Sequence, residues 1–90
     1  MLAPVRSSRF KRDVKRLEKQ GKDLTKLRAV LLLLVEGNPL PPHYRDHSLR
    51  GEWNGFRDLR IEPDWLLIYR VRDEELQLAR TGTHAELFRE

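Results

Sequence analysis

Three histidines, His43, His47 and His84, are the side chains of this 90-residue sequence that can exchange protons near neutral pH. His84 follows Thr83 and precedes Glu86, and a threonine with a glutamate three residues on is a capping box, so a short helix is expected to begin at His84 where a strand ends. A helix N-terminus attracts phosphate, and a histidine there with Arg80 close by suits general acid or base work on a phosphoryl centre. The same residues also read as an exposed histidine on a capped turn. His47 supplies a possible second proton carrier. When a ribose 2′-hydroxyl attacks the adjacent phosphate, one group must take a proton, another must protonate the leaving oxygen, and cations must stabilise the phosphorane. That reaction needs no protein nucleophile, which suits a sequence without cysteine. The absence of cysteine also removes disulfides, zinc–thiolate sites and iron–sulfur clusters, and fits a reducing compartment. His43, His47 and His84 could in principle form a three-nitrogen zinc site, but Pro41-Pro42 oppose the helix that would align the first two, so no metal and no cofactor is expected.

A second group of polar residues alternates along one stretch. Asp58, Arg60 and Glu62 fall on one face of an expected strand, with Asp64 and Trp65 at its turn, and read either as an ordinary solvated face or as part of a site. Aromatic residues with polar neighbours, namely Tyr44, Trp53, Phe56, Trp65, Tyr69 and Phe88, are the kind on which unpaired RNA bases stack, although two or three of them must be core.

These residues need a scaffold. Phe10, Val14 and Leu17 make one stripe of a helix over residues 8–20, with Lys11, Arg12, Lys15, Arg16 and Lys19 opposite and Gly21 as its stop. Asp23 can cap a second helix reaching Glu36, in which Leu24, Leu27, Leu31 and Leu34 share a face and Gly37 with Pro39 close the end. Residues 38–55 are turn-rich, yet Tyr44, Leu49 and Trp53 within them argue for an ordered and functional loop. Strands follow over 56–62, 65–72 and 75–83, joined by tight turns as an antiparallel meander, and the middle one is apolar on both faces. Residues 2–7 could add a short edge strand, weakened by Pro4. The expected architecture is a single α+β domain over residues 1–90: two N-terminal helices on a small antiparallel sheet, with a short C-terminal helix.

The net charge of +4 hides an asymmetry. Residues 1–30 carry ten basic and three acidic side chains, including all five lysines, whereas residues 31–90 carry eight basic and eleven acidic ones. A basic third favours a polyanionic partner such as RNA or a ribosome surface, while a merely solvated helix face remains the plainer reading. The longest apolar run, from Ala29 to Val35, is far below the roughly 20 residues that span a bilayer. No signal peptide is expected, since basic residues follow the start without an apolar segment between, and the expected location is cytoplasmic.

The strings Asp46-His47 with Leu49 and Gly51, Trp53-Asn54-Gly55-Phe56-Arg57-Asp58, Glu62-Pro63-Asp64-Trp65-Leu66-Leu67-Ile68-Tyr69, and Arg80-Thr81-Gly82-Thr83-His84-Ala85-Glu86-Leu87-Phe88 resemble the YafQ branch of the RelE/ParE toxin superfamily over about half the chain. The resemblance implies a compact α+β fold and a bacterial type II toxin: a ribosome-dependent endoribonuclease that cuts mRNA, leaves a 2′,3′-cyclic phosphate, and is silenced by a DinJ-like antitoxin. It implies His47, Asp64 and His84 as acid–base residues, Asp58 and Trp65 as supporting positions, and Phe88 as the C-terminal aromatic. Arg80 and Arg60 are expected to assist with RNA, and Lys11, Lys15 and Lys19 to dock on the ribosome. Where YafQ-like proteins can carry a further active-site histidine, this sequence has Arg60, which cannot shuttle protons and can only stabilise charge. The superfamily also leaves open a ParE-like poison of a protein target such as DNA gyrase, and the basic face alone leaves open a plain RNA-binding module.

Overall fold

The computed structural model describes residues 1–89. Its elements in chain order are β1 (Ala3–Arg6), α1 (Ser8–Lys19), α2 (Leu24–Glu36), β2 (His47–Ser48), β3 (Arg57–Glu62), β4 (Trp65–Arg72), β5 (Glu75–Gly82) and α3 (His84–Phe88), with single 3₁₀ turns at Pro42–Tyr44 and Gly51–Trp53. The helices begin where their caps dictate. The Ser7 hydroxyl accepts from the Phe10 N–H, the Asp23 carboxylate accepts from the Thr25 N–H, and α2 closes at Gly37, whose φ of 73° is left-handed.

The five strands lie in the order β1-β5-β4-β3-β2. The meander β3-β4-β5 is antiparallel as expected, and the sheet as a whole is mixed, because β1 runs parallel to β5. Pro4 fits there because the N–H groups of Ala3 and Ser7 donate inward to Glu74 and Leu78, which turns the N–H that proline lacks toward the open edge. β2 is a two-residue strand inside the expected loop; it pairs His47 with Asp58 and Ser48 with Arg57.

Central β4 is apolar on both faces, and each face has its own cover. Trp65, Leu67 and Tyr69 join Leu59, Leu76 and Leu78 under Phe10, Leu17, Leu27, Val30 and Leu34 of the two long helices. Leu66 and Ile68 face the other way, onto Leu87 of α3 and onto Leu49, Trp53 and Phe56 of the ordered 38–56 segment. That second cover is partial, since a five-residue helix and a loop cannot close a sheet face.

Where β1 ends, α1 takes over the open edge of β5. The Ser7 hydroxyl donates to the Ala79 carbonyl, the Thr81 N–H donates to the Asp13 carboxylate, and Arg16 donates to the Thr81 carbonyl. Side chains thus satisfy the edge groups that a longer β1 would have paired.

Candidate active site

The uncovered part of the second sheet face is a cleft of about 330 Å³ lined by His47, Leu49, Asp58, Arg60, Leu66, His84 and Phe88. Strand pairing builds one wall. His47 on β2 lies opposite Asp58 on β3, and its Nδ1 sits 3.1 Å from Asp58 Oδ1. That ring nitrogen is aimed at the Arg45 carbonyl, 2.8 Å away. A carbonyl only accepts, so Nδ1 carries the proton and Nε2 keeps its lone pair.

The second wall is the start of α3. The Thr83 hydroxyl accepts from the Glu86 N–H and the Glu86 carboxylate accepts from the Thr83 N–H, which is the capping box expected from the sequence. His84 is therefore fixed as the first helical residue. Asp64, at the β3–β4 turn, accepts from the His84 backbone N–H at 2.9 Å and from its ring Nδ1 at 2.6 Å. These hydrogen bonds, the backbone one foremost, hold the Asp64 carboxyl below the usual aspartate range. The Nδ1 proton is again fixed by an acceptor, and again Nε2 is left to work.

Asp58 was expected on a face that could be solvated, and it is instead only 4% exposed. Burial pushes its carboxyl above the usual range, opposed by the nearby charges of His47, His84 and Arg60. Its buried Oδ1 receives no hydrogen bond, because the His47 N–H is spent on Arg45. An acidic group held in this way beside two histidines and a half-buried arginine marks a site, since buried polar atoms are rarely left unpartnered.

Two expected RNA contacts fall elsewhere. Trp65 is fully buried on the helix side of the sheet, where its indole N–H donates to the Thr81 hydroxyl at 2.9 Å, so it braces the site from behind and cannot stack on a base. The Arg80 guanidinium is spent on Asp13, with Nε 2.7 Å from Oδ2 and Nη2 3.0 Å from Oδ1, and does not line the cleft. Lys11, Lys15 and Lys19 stand exposed on α1, while Lys22 and Lys26 are paired with Glu62. No three histidine or acidic side chains converge as a metal cage among the described residues.

Sequence reasoning missed three supports. Asp46 accepts from the Tyr69 hydroxyl and from Arg57, and Arg57 also donates to the Ser48 hydroxyl, so both neighbours of His47 are pinned to β3 and β4. Asp13 joins α1 to β5 through Arg80 and Thr81. Arg16 lies 2.9 Å from the Glu86 carboxylate and so links α1 to the capping box beneath His84. An acidic residue on the stripe side of a basic helix, Asp13, was the one available signal.

Comparison with known proteins gives the family and the fold. Residues 2–89 match the family described as the bacterial toxin of a type II toxin–antitoxin system, YafQ. The chain belongs to the YafQ toxin family. It is 48% identical over 83 residues to the mRNA interferase toxin YafQ of Escherichia coli strain K12, covering 91% of this chain and 90% of that one. The crystal structure of YafQ from E. coli strain BL21(DE3) superposes with a TM-score of 0.93 at 44% identity, over 98% of this chain and 99% of that one. YafQ in the E. coli DinJ–YafQ toxin–antitoxin complex superposes with a TM-score of 0.90 at 45% identity, over 97% of each chain. The mixed five-stranded sheet and its three helices are thus the YafQ fold, with an arginine, Arg60, in the wall of the cleft that holds His47 and His84.

Proposed function

We propose that this chain is the toxin of a type II toxin–antitoxin pair and an mRNA interferase, an endoribonuclease that cuts mRNA on the ribosome. The observation that carries the reading is the convergence of His47, Asp58, Arg60, His84 and Phe88 on one open cleft, with both histidines presenting Nε2. One Nε2 removes the proton from the ribose 2′-hydroxyl as its oxygen attacks the adjacent phosphorus. The other histidine, protonated, delivers its Nε2 proton to the departing 5′-oxygen, so the products are a 2′,3′-cyclic phosphate and a 5′-hydroxyl end. Arg60 supplies positive charge for the phosphorane and takes no part in proton transfer. Asp64 fixes the His84 ring, Asp58 faces His47, and Phe88 offers a flat wall to a base.

Lys11, Lys15 and Lys19 dock the toxin on ribosomal RNA, and a DinJ-like antitoxin silences it. Among the described residues no helix is long and apolar enough to cross a membrane. The test is translation of a defined mRNA on purified ribosomes, with new RNA ends mapped and their termini identified. Cleavage with cyclic-phosphate ends is expected, and His84→Gln should reduce its rate by about 10²–10⁴. Intact mRNA would instead favour a ParE-like protein poison or a binding module.

A further inference from the structure

Beyond Phe88 lies a second cleft of about 600 Å³, lined by Arg9, Arg50, Glu52, Trp53, Phe88 and Arg89 among others. Phe88 lines both clefts, so the two adjoin at its ring. We infer that it is a binding subsite for the mRNA nucleotide next to the scissile bond, holding its phosphate on Arg9, Arg50 and Arg89 and its base against Phe88 and Trp53. This rests on the cleavage reading above.

Three guanidinium groups come to this cleft from separate elements: the first turn of α1, the residue before the Gly51–Trp53 turn, and the end of α3. All three are exposed, and among the described residues none forms an ion pair with a carboxylate. Three like charges against the single carboxylate of Glu52 leave the cleft with an excess of positive charge, and a bound anion relieves the remaining repulsion. The guanidinium fork matches a phosphate with two parallel N–H groups. Arg89 adds an independent indication. It closes α3 in a left-handed conformation, with φ 57° and ψ 42°, where the backbone favours glycine or asparagine. The fold's geometry asks for neither the bulk nor the charge of arginine at that point, and the residue lines the cleft.

The wall opposite suits a base. Trp53 is half-buried and locked edge-on against Phe56, with ring centroids 5.3 Å apart, so it costs little entropy to present its surface. Glu52 on the rim can only accept hydrogen bonds, and so meets base or sugar donors and repels phosphate. Continuity through Phe88 is what assigns the ligand to the cleaved strand, since a strand with its reacting phosphate between the histidines must cross Phe88 to leave by this side.

The test uses the intact protein on programmed ribosomes, comparing Arg50→Ala/Arg89→Ala with Arg72→Ala, an exposed arginine at the far end of β4. The double variant should raise KM for cleavage by about tenfold or more, with kcat within about threefold and ribosome pelleting unchanged, while the Arg72 variant keeps the original KM. Without ribosomes, a short single-stranded RNA should bind the His84→Gln protein with a salt slope that falls by about 0.7 for each phosphate contact removed. Unchanged KM, or a KM that rises only in step with lost ribosome association, would overturn the subsite and return the arginines to ribosome docking. Persistent cleavage by His84→Gln would overturn the acid–base reading alone, because the subsite is read in KM and oligonucleotide binding.

Discussion

A ring nitrogen is only as useful as the group that fixes its partner. In His84 that group is the Asp64 carboxylate, which accepts from both the backbone N–H and Nδ1, at 2.9 and 2.6 Å. Asp64→Asn keeps the size and an acceptor oxygen but adds an amide donor, which can approach Nδ1 and move the ring proton to Nε2. We expect kcat to fall by about 10²–10⁴ with KM nearly unchanged. The aspartate is exposed, so the variant should unfold at the same urea concentration as the parent. Single-turnover cleavage beside a urea titration checks this; undiminished kcat would show that the carboxylate does not set the tautomer. The histidines and the capping box were legible in the sequence because each is local: a proton carrier, a threonine three residues before a glutamate. Asp64 was placed only at a turn, and its acid–base role came from the family resemblance. The stacking reading of Trp65 and the RNA reading of Arg80 arose because an aromatic beside polar residues reads as a binding platform until its strand face is known, and an arginine beside a histidine reads as functional until its partner is. Those partners, Thr81 at 16 residues and Asp13 at 67, are tertiary facts.

At the scale of elements, the weak part is α3. Five residues cannot form a helix unaided, since nucleation consumes most of what so few hydrogen bonds return. The capping box, Leu87 in the second apolar cluster and Arg16 from α1 hold it. Gly82 makes room for this arrangement: a Cβ there would meet Glu86 Oε1 at 2.7 Å and Arg16 Nη2 at 2.8 Å. Arg16→Met removes the clamp while keeping an apolar stem, and leaves Asp13 without one of its partners. Stability should drop by about 1–3 kcal/mol in urea unfolding. Cleavage by the folded variant should lose kcat more than KM, because the residue whose position it loosens is His84 and not an RNA contact. A loss confined to stability would confine Arg16 to the fold. The strands and long helices were readable from period and caps to within a residue or two, whereas β2 and the parallel docking of β1 were not, since a two-residue strand has no periodicity and strand direction depends on the crossover.

Across the whole molecule the charge pattern does two jobs, presenting a lysine face on α1 and binding that helix to the sheet through one buried acid. Asp13, only 2% exposed, receives Arg80, Arg16 and the Thr81 N–H. Burial alone would raise its carboxyl, but those hydrogen bonds outweigh it and hold the group below the usual value of 3.8. A depressed folded-state value means that the unfolded chain binds the proton first as pH falls. The stabilisation is therefore complete above about pH 5 and fades as pH drops through the folded-state value. Asp58 works in the opposite sense: its raised value makes the folded chain take up a proton first, so acid favours the fold at that position. Asp64 and Glu62 share the depressed direction with Asp13, but their partly or largely exposed pairs are screened by solvent. Urea midpoints measured from pH 7 down to pH 3 should then fall steeply for the parent. Asp13→Asn should start lower at pH 7, since it leaves Arg80 half-buried and unpaired, and should fall less steeply, so that the two curves converge in acid. Parallel curves would mean that the acid sensitivity of the fold lies with other carboxyls.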